Sequence, residues 1–277
     1  MFGPRLLSGI VLMIIMFCTF FFGSPVLTLL LFAVSLIGYR ELCKVIGITG
    51  KDGAKIAAPE VVGYIGTTAF YGLLLLFNLD VLSGDKFLYL TAVVAFTFLA
   101  QLFVYVFAFP KISAEEVGFS VFAFLYCPVM LSFIDMTRAM ENGKLLVWLI
   151  LICSWGCDTC AYCVGVLIGK KKVFPVLSPK KSLEGCIGGV VGAMLIGVLY
   201  AKFAMNYAWT DAGILAVVCA FGALASMVGD LAASAIKRNK GIKDYGKLIP
   251  GHGGIMDRFD SVIVTAPMVF FLVAILL

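Results

Sequence analysis

Carboxylates inside apolar stretches are the first residues of this sequence that could do chemistry. Asp158 sits deep in one apolar run and Asp230 near the end of another, with no basic residue within a helical turn of either. A charged side chain at membrane depth is costly, so each is either paired with a neighbouring helix or turned toward a cation or a water-filled cavity. On a helix, Asp230, Ser234 and Lys237 fall at i, i+4 and i+7 and share one face. A carboxylate, a hydroxyl and an ammonium then run from membrane depth to the surface. Beyond them come Arg238, Lys243 and Asp244, then His252 among Gly251, Gly253 and Gly254, then Asp257, Arg258 and Asp260. Glycines let a backbone approach a ligand closely. Asp257 and Asp260, at i and i+3, share a face of the helix they open. Hard oxygen ligands of this kind suit Mg²⁺, which takes one or two carboxylates plus phosphate oxygens of a substrate.

A second polar block precedes these residues. Lys170, Lys171 and Lys172 read equally well as a phosphate-binding run and as a positive patch against anionic headgroups. Ser178, Lys180, Lys181 and Glu184 crowd the start of a glycine-lined helix, and a helix N-terminus already favours phosphate. This is not a Walker loop, because Gly165 to Lys170 has the wrong spacing and no Ser or Thr after the lysine. Cys157, Cys160 and Cys163 are accompanied by no second ligand group, and the only histidine, His252, is almost ninety residues away, so they read as small hydrophobes rather than a zinc site. Two basic loops beside carboxylates suited to a divalent metal make the inventory of a phosphoryl or nucleotidyl transferase acting on a lipid. Such chemistry rests on positioning and on neutralising oxyanions.

The elements that must position these residues are membrane helices. The chain has 277 residues, 62% hydrophobic and 13% charged, with a mean hydropathy of +1.08. Soluble domains average about 45–50% apolar and about 25% charged residues, so lipid is the solvent for most of this chain. Nine stretches satisfy the length of a helical span: 6–22, 26–42, 61–79, 87–109, 117–136, 145–168, 186–206, 212–235 and 261–277. The first two, joined by Gly23-Ser24-Pro25, are the pair that an eight-span count would merge or drop. The first stretch has no A-x-A cleavage site and runs into another apolar stretch, so it reads as a retained span. No period-2 run stands out. The expected fold is therefore all-α and polytopic, with about nine transmembrane helices.

Charge placement orients it. With nine spans, 17 of the 21 Lys and Arg fall on one side, leaving Lys86, Arg138, Lys144 and Lys202 on the other. By the positive-inside rule the basic side is cytoplasmic. In the seventh span Gly185, Gly189, Ala193 and Gly197 recur every four residues, the spacing by which helices approach closely in lipid. Residues 1–144 read as scaffold helices that also offer surface for a homodimer. Residues 145–277 read as the catalytic helices of the same continuous membrane domain.

The run Ser234-x-x-Lys237-Arg238, Lys243-Asp244-x-Gly246, Pro250-Gly251-His252-Gly253-Gly254 and Asp257-Arg258-x-Asp260 resembles the signature of the phosphatidate cytidylyltransferase family, bacterial type, across 234–260. Asp158 with Ala161-Tyr162, and Ser178-Pro179-Lys180-Lys181 with Glu184-Gly185, resemble another block of that family. Departures are Val166 after Gly165, where the family commonly has arginine, and Ser182-Leu183, where Thr and Trp are frequent.

The resemblance implies the reaction CTP + phosphatidate → CDP-diacylglycerol + pyrophosphate, in phospholipid biosynthesis at a bacterial plasma membrane, with the site facing the cytoplasm. It implies Mg²⁺, with room for a second cation, held by Asp230 and Asp257 first and Asp260 next. Lys237, Arg238, Lys243 and Arg258 would neutralise phosphates of CTP or lipid. Ser178, Lys180 and Lys181 would hold the nucleotide or its triphosphate, with Glu184, Ser234, Gly253 and Gly254 also against substrate. Asp158 and Asp244 would orient basic partners or waters. His252 would donate a hydrogen bond to phosphate rather than relay a proton, because phosphatidate is already anionic. The expected partners are these two substrates and the bilayer, with no nucleic acid. A CDP-alcohol phosphatidyltransferase would need an Asp-Gly-x-x-Ala-Arg run, which is absent. A transporter would place charges near the midplane of several spans and show repeats, whereas most charge here lies in connections.

Overall fold

Local signals set the helix ends. The computed structural model describes residues 2–48, 56–248 and 253–277. Helix α1 (Phe2–Phe22) stops at Gly23, whose φ of 110° few other residues adopt, and Pro25 opens α2 (Ser24–Ile46). Gly47 ends α2 in the left-handed region. Helix α3 (Ala58–Asn78) again starts on a proline. Helix α4 (Lys86–Ala108) is capped by Asp85, which accepts from the amides of Phe87 and Leu88. Helix α5 (Ala114–Phe124) begins with a capping box between Ser113 and Glu116. A π-turn at Leu125–Val129, containing Pro128, leads into α6 (Met130–Arg138). Proline has no amide to give the helical ladder, so a local widening there is expected. Helix α7 (Gly143–Leu151) similarly passes through a π-turn at Ile152–Gly156 into α8 (Cys157–Ile168).

The connection after α8 departs from the expectation of loop and helix alone. Lys172–Phe174 (β1) and Ser178–Ser182 (β2) pair as an antiparallel hairpin, Lys172 opposite Ser182 and Phe174 opposite Ser178. The strands are too short and too rich in lysine to show an alternating apolar pattern, which is why the sequence hides them. Ser182 then caps α9 (Leu183–Phe203) by accepting from Gly185 N. Helix α10 (Trp209–Asn239) and helix α11 (Met256–Leu276) complete the chain.

Eight apolar segments are long enough to cross a membrane among the described residues: α2, α3, α4, Ala114–Arg138, Gly143–Ile168, α9, α10 and α11. Helix α1 adds a shorter apolar stretch, Met13–Phe22. The chain is a polytopic, all-α membrane protein, at the eight-span end of the expected count plus α1.

Two compact units form. One comprises Met1–Asp135 with Asp244–Asp257, the other Met136–Lys243 with Arg258–Leu277. The first is tied by buried polar contacts: Tyr39, Gln101 and Ser120 meet around the Pro59 carbonyl, and Asp135 accepts from Thr28 and Asn78. In the second, α9 lies against α8 and α10 through its small residues. Gly185, Gly189, Ala193, Gly197 and Ala201 are its buried face. A Cβ added at Gly188 would come within 2.6 Å of Val164, so this approach needs glycine. The expected packing role of the small-residue stripe is what the structure shows.

Candidate active site

Asp230, two turns from the end of α10, is the hub of the second unit's polar groups. Its Oδ2 pairs with Lys181 Nζ of β2 at 2.5 Å, the two side chains being 30% and 21% exposed. Asp158 of α8 interacts electrostatically with both Asp230 and Lys181. Asp260 of α11 does so with Asp230, Lys237 and Arg258, and its Oδ1 accepts from Ser261 N at 2.8 Å. Three carboxylates and three cations from α8, β2, α10 and α11 thus share one electrostatic neighbourhood. The sequence left Asp158 and Asp230 without a base. Lys181 supplies it, and a separation of 49 positions in sequence conceals the pairing.

A cavity of about 410 Å³ opens beside this hub, within the range of small-molecule sites. Its lining mixes charged side chains, Asp158, Lys172, Lys180 and Lys181, with the larger side chains of Tyr162, Val166 and Met227. Tyr162 and Val166 belong to a segment long and apolar enough to span a membrane and are 73% and 67% exposed. The cavity therefore brings ammonium groups and apolar surface together.

The hairpin that brings the lysines is held at its base. The Glu184 carboxylate accepts from Lys170 N at 3.0 Å and from Lys171 N at 3.2 Å, and Leu183 N donates to Lys171 O. Lys172 Nζ donates to Lys180 O at 3.2 Å across the hairpin. Glu184, expected at the substrate, faces its own backbone. Ser178 begins β2, and Ser234 lies half-buried on α10 between Asp230 and Lys237. Arg238 and Lys243 are exposed.

The signature loop belongs to the first unit. Asp257, 6% exposed, accepts at Oδ2 from Tyr245 N at 2.7 Å and Gly254 N at 3.0 Å. Glu41 of α2 accepts from Ile255 N at 3.2 Å (Oε1) and Met256 N at 2.9 Å (Oε2). Gly253 adopts φ 87°, and a Cβ on it would lie 2.7 Å from Asp257 Oδ2. The close approach expected of these glycines is thus made to carboxylates of the protein itself. Asp244 is exposed in this loop. His252, with Pro250 and Gly251, lies outside the described residues. No group of three or more Cys, His, Asp or Glu side chains is placed to hold a metal among the described residues, and Cys157, Cys160 and Cys163 are free thiols.

Sequence reasoning missed Glu41, and it had Lys172 only as one of three lysines with two readings and Tyr162 only as part of a family block. Glu41 carries a signal of the same kind as Asp158, a carboxylate inside an apolar span, but one flanked by Arg40 and Lys44.

Eight apolar segments long enough to span a membrane among the described residues, with carboxylates and lysines gathered beside a cavity, define a polytopic membrane protein. From residue 4 to residue 276 the chain matches the profile of the cytidylyltransferase family, and it belongs to that family. It is 28% identical over 274 residues to a phosphatidate cytidylyltransferase of Bacillus subtilis, covering 98% of this chain and 97% of that protein. Identity to a phosphatidate cytidylyltransferase of Staphylococcus aureus is 30% over 269 residues, covering 95% and 96%. A phosphatidate cytidylyltransferase of Synechocystis is 42% identical over 136 residues, 49% of this chain and 45% of that protein.

Proposed function

We propose that this cytidylyltransferase uses phosphatidate as acceptor and CTP as donor, forming CDP-diacylglycerol and pyrophosphate. The observation that carries this reading is the Lys181–Asp230 pair, whose lysine lines a cavity bordered also by Tyr162 and Val166 of an apolar segment long enough to span a membrane. A soluble acceptor would not need such a border, and the names of the full-length relatives carry the same reaction.

In the step itself, an anionic oxygen of phosphatidate attacks the α-phosphorus of CTP. The new P–O bond forms as the bond from the α-phosphorus to the bridging oxygen breaks, and pyrophosphate leaves with that electron pair. No general base is required. Lys172, Lys180 and Lys181 line the cavity and neutralise the phosphate oxygens gathered there. Tyr162, Val166 and Met227 take the start of the acyl region and keep water from that side. Lys237 and Arg258, beside Asp260, supply further positive charge toward the cytoplasmic surface of α10 and α11.

Asp230 and Asp260 fit a divalent cation by the chemistry of their donors: hard oxygens, like-charged, within each other's field. With waters and phosphate oxygens they would hold Mg²⁺, and Asp158 would complete the anionic surroundings. When bound, the ion would neutralise charge on the transferring phosphate. Asp257, with one oxygen given to two backbone amides, serves the loop in this reading.

The same reading places the site on the cytoplasmic face of a bacterial plasma membrane, where the excess of Lys and Arg lies. Purified protein given radiolabelled CTP, phosphatidate and Mg²⁺ is expected to move the cytidine label into the chloroform phase. Asp230→Asn is expected to lower that transfer by about 10²- to 10³-fold while the protein remains folded in detergent, a loss comparable to removing one preorganised electrostatic contact of an active site. No chloroform-soluble label with any divalent metal would refute the acceptor assignment.

A further inference from the structure

We infer that Glu41, on a helix of the N-terminal half, is a positioning residue of the active site. Its carboxylate fixes the signature loop and the start of α11, the helix that carries Asp257, Arg258 and Asp260. The inference rests on the reading that this loop serves cytidylyl transfer.

Glu41 is 8% exposed and lies on α2, 215 residues from Met256 in sequence. Both of its oxygens are engaged, one by Ile255 N and one by Met256 N. These amides are at the start of α11, where a helix leaves its first N–H groups without intrahelical partners. A negative charge there also opposes the positive end of the helix dipole. Asp257 takes the amides of Tyr245 and Gly254 from the other side of the same turn. Two carboxylates therefore hold four amides of one loop, and Glu41 is the one that comes from outside it.

Two glycines tie the loop to this residue. A Cβ added at Gly246 would overlap Glu41 Oε1, and one added at Gly254 would overlap both carboxylate oxygens. Glycine at these positions lets the backbone close on Glu41, which is a different requirement from approach to a substrate. Asp257 and Lys44 both lie within the electrostatic reach of Glu41. A helix-capping contact needed only for stability would not have to constrain two glycines of the catalytic signature as well.

The test uses the full-length protein with Glu41→Gln, Glu41→Ala, Gly254→Ala and the Glu41→Ala/Gly254→Ala double variant. Glu41→Gln keeps the side-chain length and one acceptor oxygen and is expected to stay folded. Its kcat for cytidylyl transfer is expected to fall about 10- to 100-fold, the range of a lost charge-assisted hydrogen bond, with KM for phosphatidate changed less than about threefold. Backbone hydrogen exchange over 253–257 is expected to rise without substrate present. Gly254→Ala is expected to lower kcat similarly alone but to add less than about twofold in the Glu41→Ala background, because the group it would strike is gone. Full activity and unchanged exchange in Glu41→Gln would overturn the inference. So would loss of activity with unchanged exchange, which would make Glu41 a direct participant, and so would independent, multiplying effects of the two substitutions. If Glu41→Ala does not fold, the Glu41→Gln and Gly254→Ala measurements decide. If the wild-type protein transfers no cytidylyl group, the proposed reaction fails while the exchange measurement still decides whether Glu41 holds the loop.

Discussion

At the scale of single residues, the site is a set of like charges kept together by cations. Asp230 sits within the field of Asp158 and Asp260, and Lys181 is the base in direct contact with it. Lys181 thereby has two tasks, to hold Asp230 and to meet phosphate in the cavity it lines. Removing its ammonium takes away a charge-assisted contact to phosphate, of the kind worth about 1.5–3 kcal/mol. Lys181→Ala is therefore expected to lower kcat/KM for CTP by about 10- to 100-fold in steady-state assays, and Lys181→Arg to recover part of the loss. Equal kinetics for Lys181→Ala and wild type would mean that Lys181 only neutralises Asp230. The carboxylates were legible in the sequence because charge in an apolar run stands out. Their partners were not, since Lys181 and Glu41 reach their contacts across the fold. Glu184 was legible as a residue of the basic loop, but its direction, back to the amides of Lys170 and Lys171, depends on a hairpin the sequence does not announce.

At the scale of elements, that hairpin is the departure with most consequence. Strands of three and five residues, with a Pro and several Lys, give no alternating pattern, yet they turn a basic loop into a wall with fixed positions for Lys172, Lys180 and Lys181. The glycines of α9 were legible as packing, because spacing of four in lipid has one common use. What holds the hairpin onto α9 is the Glu184 carboxylate together with the Ser182 cap. Glu184→Ala frees the Lys170 and Lys171 amides and is expected to loosen the base of the hairpin. Limited trypsin digestion in detergent should then cleave after Lys170–Lys172 roughly tenfold faster than in wild type, with Glu184→Gln intermediate, since local opening governs cleavage. Cleavage rates unchanged in Glu184→Ala would mean that strand pairing alone holds the hairpin.

At the scale of the whole molecule, the span count and the charge asymmetry were legible because bilayer thickness and the positive-inside rule act on composition alone. The grouping into units was not. Residues 244–257 join the N-terminal helices, although the sequence places them among catalytic residues, because Glu41 lies on α2. Orientation is the claim at this scale with the plainest test. Ser83 lies exposed in the connection between α3 and α4, and Lys171 lies exposed in the connection before β1. Three of the eight spans separate them, Lys86–Ala108, Ala114–Arg138 and Gly143–Ile168, an odd number, so they must face opposite sides. Ser83→Cys and Lys171→Cys, each in a background with all nine native cysteines replaced, report this through a membrane-impermeant maleimide. The Lys171→Cys protein is expected to be labelled in inside-out vesicles and protected in right-side-out ones, and Ser83→Cys the reverse. The opposite pattern would put the cavity on the outer face, away from a cytoplasmic supply of CTP, and the proposed reaction would lose its donor. Labelling of both from one side would instead break the odd count of spans between them.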